Sequence, residues 1–419
     1  MPPNLSTTAP ATGNGLRLDP LHDFAGKLRQ PAFHDRLSDY VAWRRSVLDA
    51  RARGEPEPPM PAWAPLSINL DLTTACNYAC DHCIDWDMLN SGISHDERAL
   101  RDSLVRMAGA GLRSVILIGG GEPTLHPRFA AFVRHLKSLA LQVAVVSNGS
   151  RNDRLLEVAD AFTTGDWVRL SLDAGTDATF QRMHRPKKPV TLEEICAGVR
   201  PIKERNPALR VGFSFVVVWS GSEREAGAPV HENVDEIPLA ARLARDSGFD
   251  YVSFKPFLAR TAEGAEAVGG ARDGFAAAIG RVRARVDEAK RLATGTFAVL
   301  ESTNLRALEA GDAGALARQP RTCHMQALRQ VLGPTGLWNC PAHRGAEKGR
   351  LAGPAGYATE EAAGATARAV AAALDGFDAA HECREVTCLF NGANWWIEEA
   401  VAGTRPVGAP EAEREDWFL

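Results

Sequence analysis

Leu66-Ser-Ile-Asn-Leu-Asp-Leu-Thr-Thr-Ala-Cys-Asn-Tyr-Ala-Cys-Asp-His-Cys83 runs a short apolar segment straight into three cysteines, Cys76, Cys80 and Cys83. Residues 66–72 read as a buried β-strand, so the thiols follow at its carboxyl end. Thiolates spaced C-x3-C-x2-C can hold three corners of a cubane iron–sulfur cluster, which normally takes four. A metal position left open is where a small molecule can bind and react. Zinc stays open as a reading, with His82 between the ligands as a further donor, although no nearby Cys or His pair completes a site of paired short spacings.

Outward from this point, strand-like and helix-like segments alternate. Strands are expected at 66–72, 113–118, 142–147, 167–172, 211–218 and 251–257. Helices are expected near 96–110, 127–140, 151–162, 191–204, 233–247 and 274–293. Such alternation implies parallel βαβ units and an α/β fold. Several chemistry-bearing strings fall at strand ends. After the second strand comes Gly119-Gly-Gly-Glu-Pro-Thr-Leu-His-Pro127, and the third ends in Ser147-Asn-Gly. The fourth reads Val168-Arg-Leu-Ser-Leu-Asp173, in which Ser171 and Asp173 are two apart and share a face. Each string also has a plain structural reading: a glycine turn, an Asn-Gly turn and a helix cap at Asp173.

Together, the cysteine triplet, the Gly-Gly-Glu-Pro string and the Ser-Asn-Gly string resemble the radical S-adenosylmethionine (SAM) superfamily. The resemblance implies a partial (β/α)6 TIM-like barrel, with a [4Fe–4S] cluster on Cys76, Cys80 and Cys83 whose open iron chelates SAM. It further implies that Gly120, Gly121 and Glu122 bind the SAM amino group, that Ser147 and Asn148 face SAM, and that Ser171 and Asp173 bond its ribose hydroxyls or carboxylate. Arg185, in His184-Arg-Pro, stands where relatives keep a basic residue near that carboxylate. Lys255, in the sixth strand, is an unusual charge for a barrel mouth and a substrate-binding or catalytic candidate; the alternative is a lysine with buried stem and solvated head.

Past the barrel lie Cys323, Cys340, Cys383 and Cys388. The first two flank an expected hairpin turning at Pro334-Thr-Gly, and an alanine-rich helix near 358–375 precedes the closing pair. This order resembles the twitch domain, a small α+β relative of the SPASM domain, and implies one auxiliary [4Fe–4S] cluster; zinc would also fit four thiolates. The eighth cysteine, Cys196, is either a hydrogen-atom donor or a core thiol, because Leu192, Cys196 and Val199 share one helical face.

The chain of 419 residues, with a net charge of −4 and 24% charged residues, has no basic stripe for nucleic acid and no apolar run long enough for a bilayer. No secretion signal is legible, so the cysteines read as metal ligands in a cytoplasmic protein. The expected division is an extension at 1–64, disordered and then helical with a Pro-rich linker, a barrel at 65–305, a twitch-like domain at 306–395 and a helix and tail at 396–419. By resemblance, the activity is reductive SAM cleavage and oxidation of a small polar alcohol, a sugar or aminocyclitol of an antibiotic pathway. The auxiliary cluster would take the electron, a flavodoxin or ferredoxin would supply the reductant, and Lys255 and Arg344 are candidate substrate contacts. Epimerisation, ribosomal-peptide modification and a zinc-binding scaffold are the alternatives.

Overall fold

The computed structural model describes residues 22–224, 227–261, 266–268 and 274–419. The expected disorder of residues 1–19 therefore lies outside the described residues. The six strands of the alternating core are β1 (Ser67–Leu70), β2 (Ser114–Leu117), β3 (Gln142–Ser147), β4 (Trp167–Ser171), β5 (Arg210–Val217) and β6 (Tyr251–Pro256). Each pairs in parallel with the next, in chain order. A small antiparallel pair, β7 (Leu258–Arg260) and β8 (Glu266–Val268), follows β6.

The sheet grows past the expected six strands at both edges. β9 (Ala298–Glu301) pairs in parallel with β6. On the far side β10 (Arg329–Gly333) runs parallel to β1, and β11 (Gly336–Trp338) and β12 (Arg350–Ala352) continue antiparallel to give ten strands. The predicted hairpin is thus real, turning at Pro334-Thr335, but it is a continuation of the main sheet rather than part of a separate lobe. Nor do residues 24–53 form a detached extension. Their helices Phe24–Leu28 and Pro31–Arg53 join the main core through Phe33, Leu37 and Tyr40, and Tyr40 bonds His324 Nδ1 at 2.7 Å. Past the helix Asn391–Val401, the tail crosses the amino ends of the strands, where Trp417 accepts from Ser114 Oγ and Phe418 accepts from Lys27 Nζ.

Alternation along the strands sorts side chains into two layers. Val168, Leu170, Val211, Phe213, Val252 and Phe254 point outward under the helices and are fully buried. Burying each such side chain contributes about 1.5–3 kcal/mol. A one-residue slip would drive Arg169 and Lys255 into that apolar layer, so packing outside fixes what faces inside.

Candidate active site

The three cysteines sit in the irregular loop above β1. The end of the helix Asp177–His184 holds this loop: Ala79 N donates to His184 O at 3.1 Å and Asp81 N to Met183 O at 2.9 Å. Asn90 Oδ1 accepts from Cys76 N at 3.0 Å, and Lys187 Nζ donates to Cys76 O at 3.0 Å. His184 Nδ1 lies 3.2 Å from the sulfur of Cys80. Burial raises the Cys76 thiol, raises Cys80 strongly and pushes Cys83 up to about 12. Thiols this reluctant to ionise become thiolates when a metal supplies positive charge.

The glycine string after β2 presses against this loop. A Cβ on Gly121 would stand 2.3 Å from Ala75 O, and Glu122 N donates to that same carbonyl at 2.8 Å. Gly120 has φ +67°, a left-handed conformation that favours glycine. Glu122 is buried and braces the ends of two strands. Its Oε1 accepts from Thr124 N, Thr124 Oγ1 and Ser147 Oγ, and its Oε2 accepts from Asn148 N at 2.7 Å. Asn148 Nδ2 in turn donates to Asn77 Oδ1, between the cysteines, at 2.9 Å. Glu122, Ser147 and Asn148 are therefore brought together with the cysteine loop, and Oε2 keeps an acceptor direction to spare.

Asp173, at φ +50°, does not cap the next helix; Thr176 does. Its Oδ1 accepts from Val216 N at 2.6 Å, and its Oδ2 lies 2.9 Å from His82 Nε2 and 3.3 Å from His184 Nε2. Burial opposes ionisation of Asp173, but hydrogen bonds from His184 and His82 hold its carboxyl well below the usual range. His82 is accordingly not a fourth ligand aimed at the thiols; it bridges Asp173 and Asp81. Ser171 stands on the inner face beside Ser214. Arg185 is mostly exposed, 3.9 Å from Asp81. Lys255 points inward, its Nζ 3.4 Å from Ser214 Oγ. Cys196 is 1% exposed within the helical layer outside the sheet, so the hydrogen-donor reading is corrected: its helix faces the core, and burial pushes the thiol up to about 12.

Cys323, Cys340, Cys383 and Cys388 converge on one enclosed cavity. His343 Nε2 lies 3.4 Å from Cys383 Sγ, and burial raises all four thiols. Among the described residues, only His82, Asp173 and His184 bring three ligating atoms within 4.8 Å of one another. Sulfurs on one tetrahedral zinc stand about 3.8 Å apart. Neither cysteine set brings three sulfurs within 4.8 Å of one another. Cys340 and Cys388 also line a second cavity of about 300 Å³, together with Asn69, Arg169, Tyr251 and Phe418.

Sequence reasoning gave one group a different role and missed another. Arg344, a candidate substrate contact, is instead consumed by protein: Nη1 donates to Asp71 at 2.9 Å and Nη2 pairs with Asp85, which also accepts from Gly120 N at 3.1 Å. Arg169 was passed over although its place in Val168-Arg-Leu, a charge between two buried apolar residues, marks an inward-facing guanidinium.

Residues 70–226 match the model of the radical SAM superfamily. These residues form a radical SAM domain, for which the cofactors are a [4Fe–4S] cluster and SAM. It is 26% identical over 156 residues to an S-adenosylmethionine-dependent nucleotide dehydratase of Selenomonas ruminantium, covering 36% of this chain and 56% of that protein. It is 34% identical over 196 residues to a GTP 3′,8-cyclase of Chlorobaculum tepidum, covering 45% of this chain and 54% of that one. The chain thus spans about half the length of the curated relatives it matches. The fold is similar to Streptococcus suis SuiB, with a TM-score of 0.53 at 12% identity over 90% of this chain and 81% of that one. No helix among the described residues is long and apolar enough to cross a membrane.

Proposed function

We propose that this chain oxidises a small polar alcohol, a sugar or aminocyclitol, to the carbonyl by removal of a hydrogen atom followed by loss of one electron and one proton. When bound, the cluster on Cys76, Cys80 and Cys83 and SAM together supply the 5′-deoxyadenosyl radical that takes the hydrogen atom. Gly120, Gly121 and Glu122 would receive the SAM amino group, with Ser147, Asn148, Ser171 and Arg185 around it and Asp173 acting through His82.

The observation that carries this reading is the cavity shared between the barrel's inner face and the second thiol set through Cys340 and Cys388. Four thiolates on a twitch-like auxiliary cluster leave no open iron for substrate, which suits that centre to accepting an electron. With Cys196 in the outer core, no thiol outside the two sets stands at the inner face to return hydrogen. Lys255 is suited to take the hydroxyl proton, since burial, then nearby Arg169, hold its amine well below the ordinary lysine value. A flavodoxin- or ferredoxin-type donor fits the one-electron requirement.

The test is anaerobic incubation of reconstituted protein with SAM, reductant and a panel of sugars and aminocyclitols. A product two mass units lighter, in step with 5′-deoxyadenosine, supports the reading. A product of unchanged mass that gains one deuteron in D2O indicates epimerisation and overturns it.

A further inference from the structure

Arg169 is a cation with no carboxylate partner among the described residues, facing a cavity whose other cations are engaged. It sits in β4 on the inner face, between Val168 and Leu170, which are fully buried on the outer face. Its Nε is buried with no hydrogen-bond partner, and no carboxylate pairs with its guanidinium among the described residues. The neighbouring cations of the same cavity are all engaged. Lys27 pairs with Asp416 at 2.7 Å, Arg210 pairs with Glu415 at 2.7 Å, and Arg329 donates to Leu419 O and to Asn69 Oδ1. A guanidinium facing a cavity without an anionic partner is one that a bound oxyanion would stabilise through charge-assisted hydrogen bonds.

The surroundings are built to hold that guanidinium in one place. It lies over the Trp167 ring, 5.0 Å from the centroid. Gly212 pairs with Arg169 on one side and with Tyr251 on the other. A Cβ on Gly212 would stand 2.1 Å from the Tyr251 ring, so the missing side chain lets that phenol lean across toward Arg169. Burial pushes the Tyr251 hydroxyl up to about 12, which keeps it a donor at neutral pH. Trp167, Arg169 and Tyr251 all line the cavity of about 300 Å³ that Cys340 and Cys388 also reach.

We propose that Arg169, seated on Trp167 and assisted by Tyr251, binds an oxyanion, so that the substrate of the proposed oxidation is a small alcohol carrying a carboxylate or a phosphate ester. This inference rests on the reading that the cavity receives the substrate. Arg169 is a binding residue in it.

Inorganic phosphate and acetate serve as probes, titrated by calorimetry into reconstituted wild type and into the Arg169→Met and Arg169→Lys variants in a buffer free of other oxyanions. Wild type should take up one anion per chain, Arg169→Met should bind at least about tenfold more weakly, and Arg169→Lys should recover part of the loss. Preference for phosphate identifies a phosphate ester, and preference for acetate a carboxylate. Equal affinity in wild type and Arg169→Met, or no uptake by wild type, overturns the site. Release of 5′-deoxyadenosine by wild type is measured alongside without any probe anion. Its failure would sink the radical reading, whereas its success with unchanged affinity in Arg169→Met would sink the anion site alone.

Discussion

Arg344 Nη1 donates to both carboxylate oxygens of Asp71, at 2.9 and 3.1 Å, and so fastens the segment after Cys340 to the end of the first strand. Both residues are buried. Burial raises the Asp71 carboxyl to about 6 even against the opposing pull of Arg344. Removing one partner of a buried pair leaves an uncompensated charge, which costs about 3–5 kcal/mol. Arg344→Met should therefore lower stability by about that amount in urea unfolding, and adding Asp71→Asn should restore part of it. A loss under about 1 kcal/mol would mean that the pair holds nothing together.

Gly121 sets the distance between the glycine string and the cysteine loop. Backbone atoms of Thr74 and Ala75 lie within 2.8 Å of where a Cβ would stand. Gly121→Ala should therefore displace the loop at a cost of about 1–3 kcal/mol. Iron bound at Cys76, Cys80 and Cys83 should fall while iron at the second set stays, as electron paramagnetic resonance of the reduced protein would resolve. Full occupancy of both sites in the variant would contradict this geometry.

Iron counting separates clusters from zinc. Wild type reconstituted under anaerobic conditions should hold about eight irons per chain and be brown. Cys76→Ala/Cys80→Ala/Cys83→Ala and, separately, Cys383→Ala/Cys388→Ala should each remove about half. A colourless protein with about two zinc ions would replace the cluster reading with a scaffold.

Glu266 gives a pH dependence with a definite sign. Burial, opposed by Arg260 and Arg329, lifts its carboxyl to about 7. Its folded pKa lies above the unfolded one, so the native state binds the proton more tightly. The resulting stability is fully present below the unfolded value of about 4.5 and is lost as pH rises through about 7. Thermal denaturation between about pH 5 and 8 should show a shallower decline for Glu266→Gln than for wild type. Parallel curves would place Glu266 in a solvated setting.

Strand and helix positions were legible because apolar alternation and capping act locally. β3 begins and ends where its pattern starts and stops, at Gln142 and Ser147. What escaped were relations that depend on long-range pairing. Nothing around Arg329 says that its strand runs parallel to β1, and nothing around Arg344 names Asp71 as its partner, 273 positions away. The candidate site was legible where short strings carry it, as in the cysteine triplet and Gly119 to Glu122, which the fold packs together. It was not legible where sequence spacing cannot tell which way a side chain turns. Asp173 turns to His82 and His184 rather than capping a helix, whereas the helical face shared by Leu192, Cys196 and Val199 did mark a core thiol. Arg169 was the exception: its flanking apolar residues carried the signal in plain view.

The most direct test of the whole account is chromatographic detection of 5′-deoxyadenosine after reconstituted protein meets SAM and a strong reductant without oxygen. Wild type should release it, and Cys76→Ala/Cys80→Ala/Cys83→Ala should not. No release from wild type loaded with iron, or equal release from the triple variant, would contradict it.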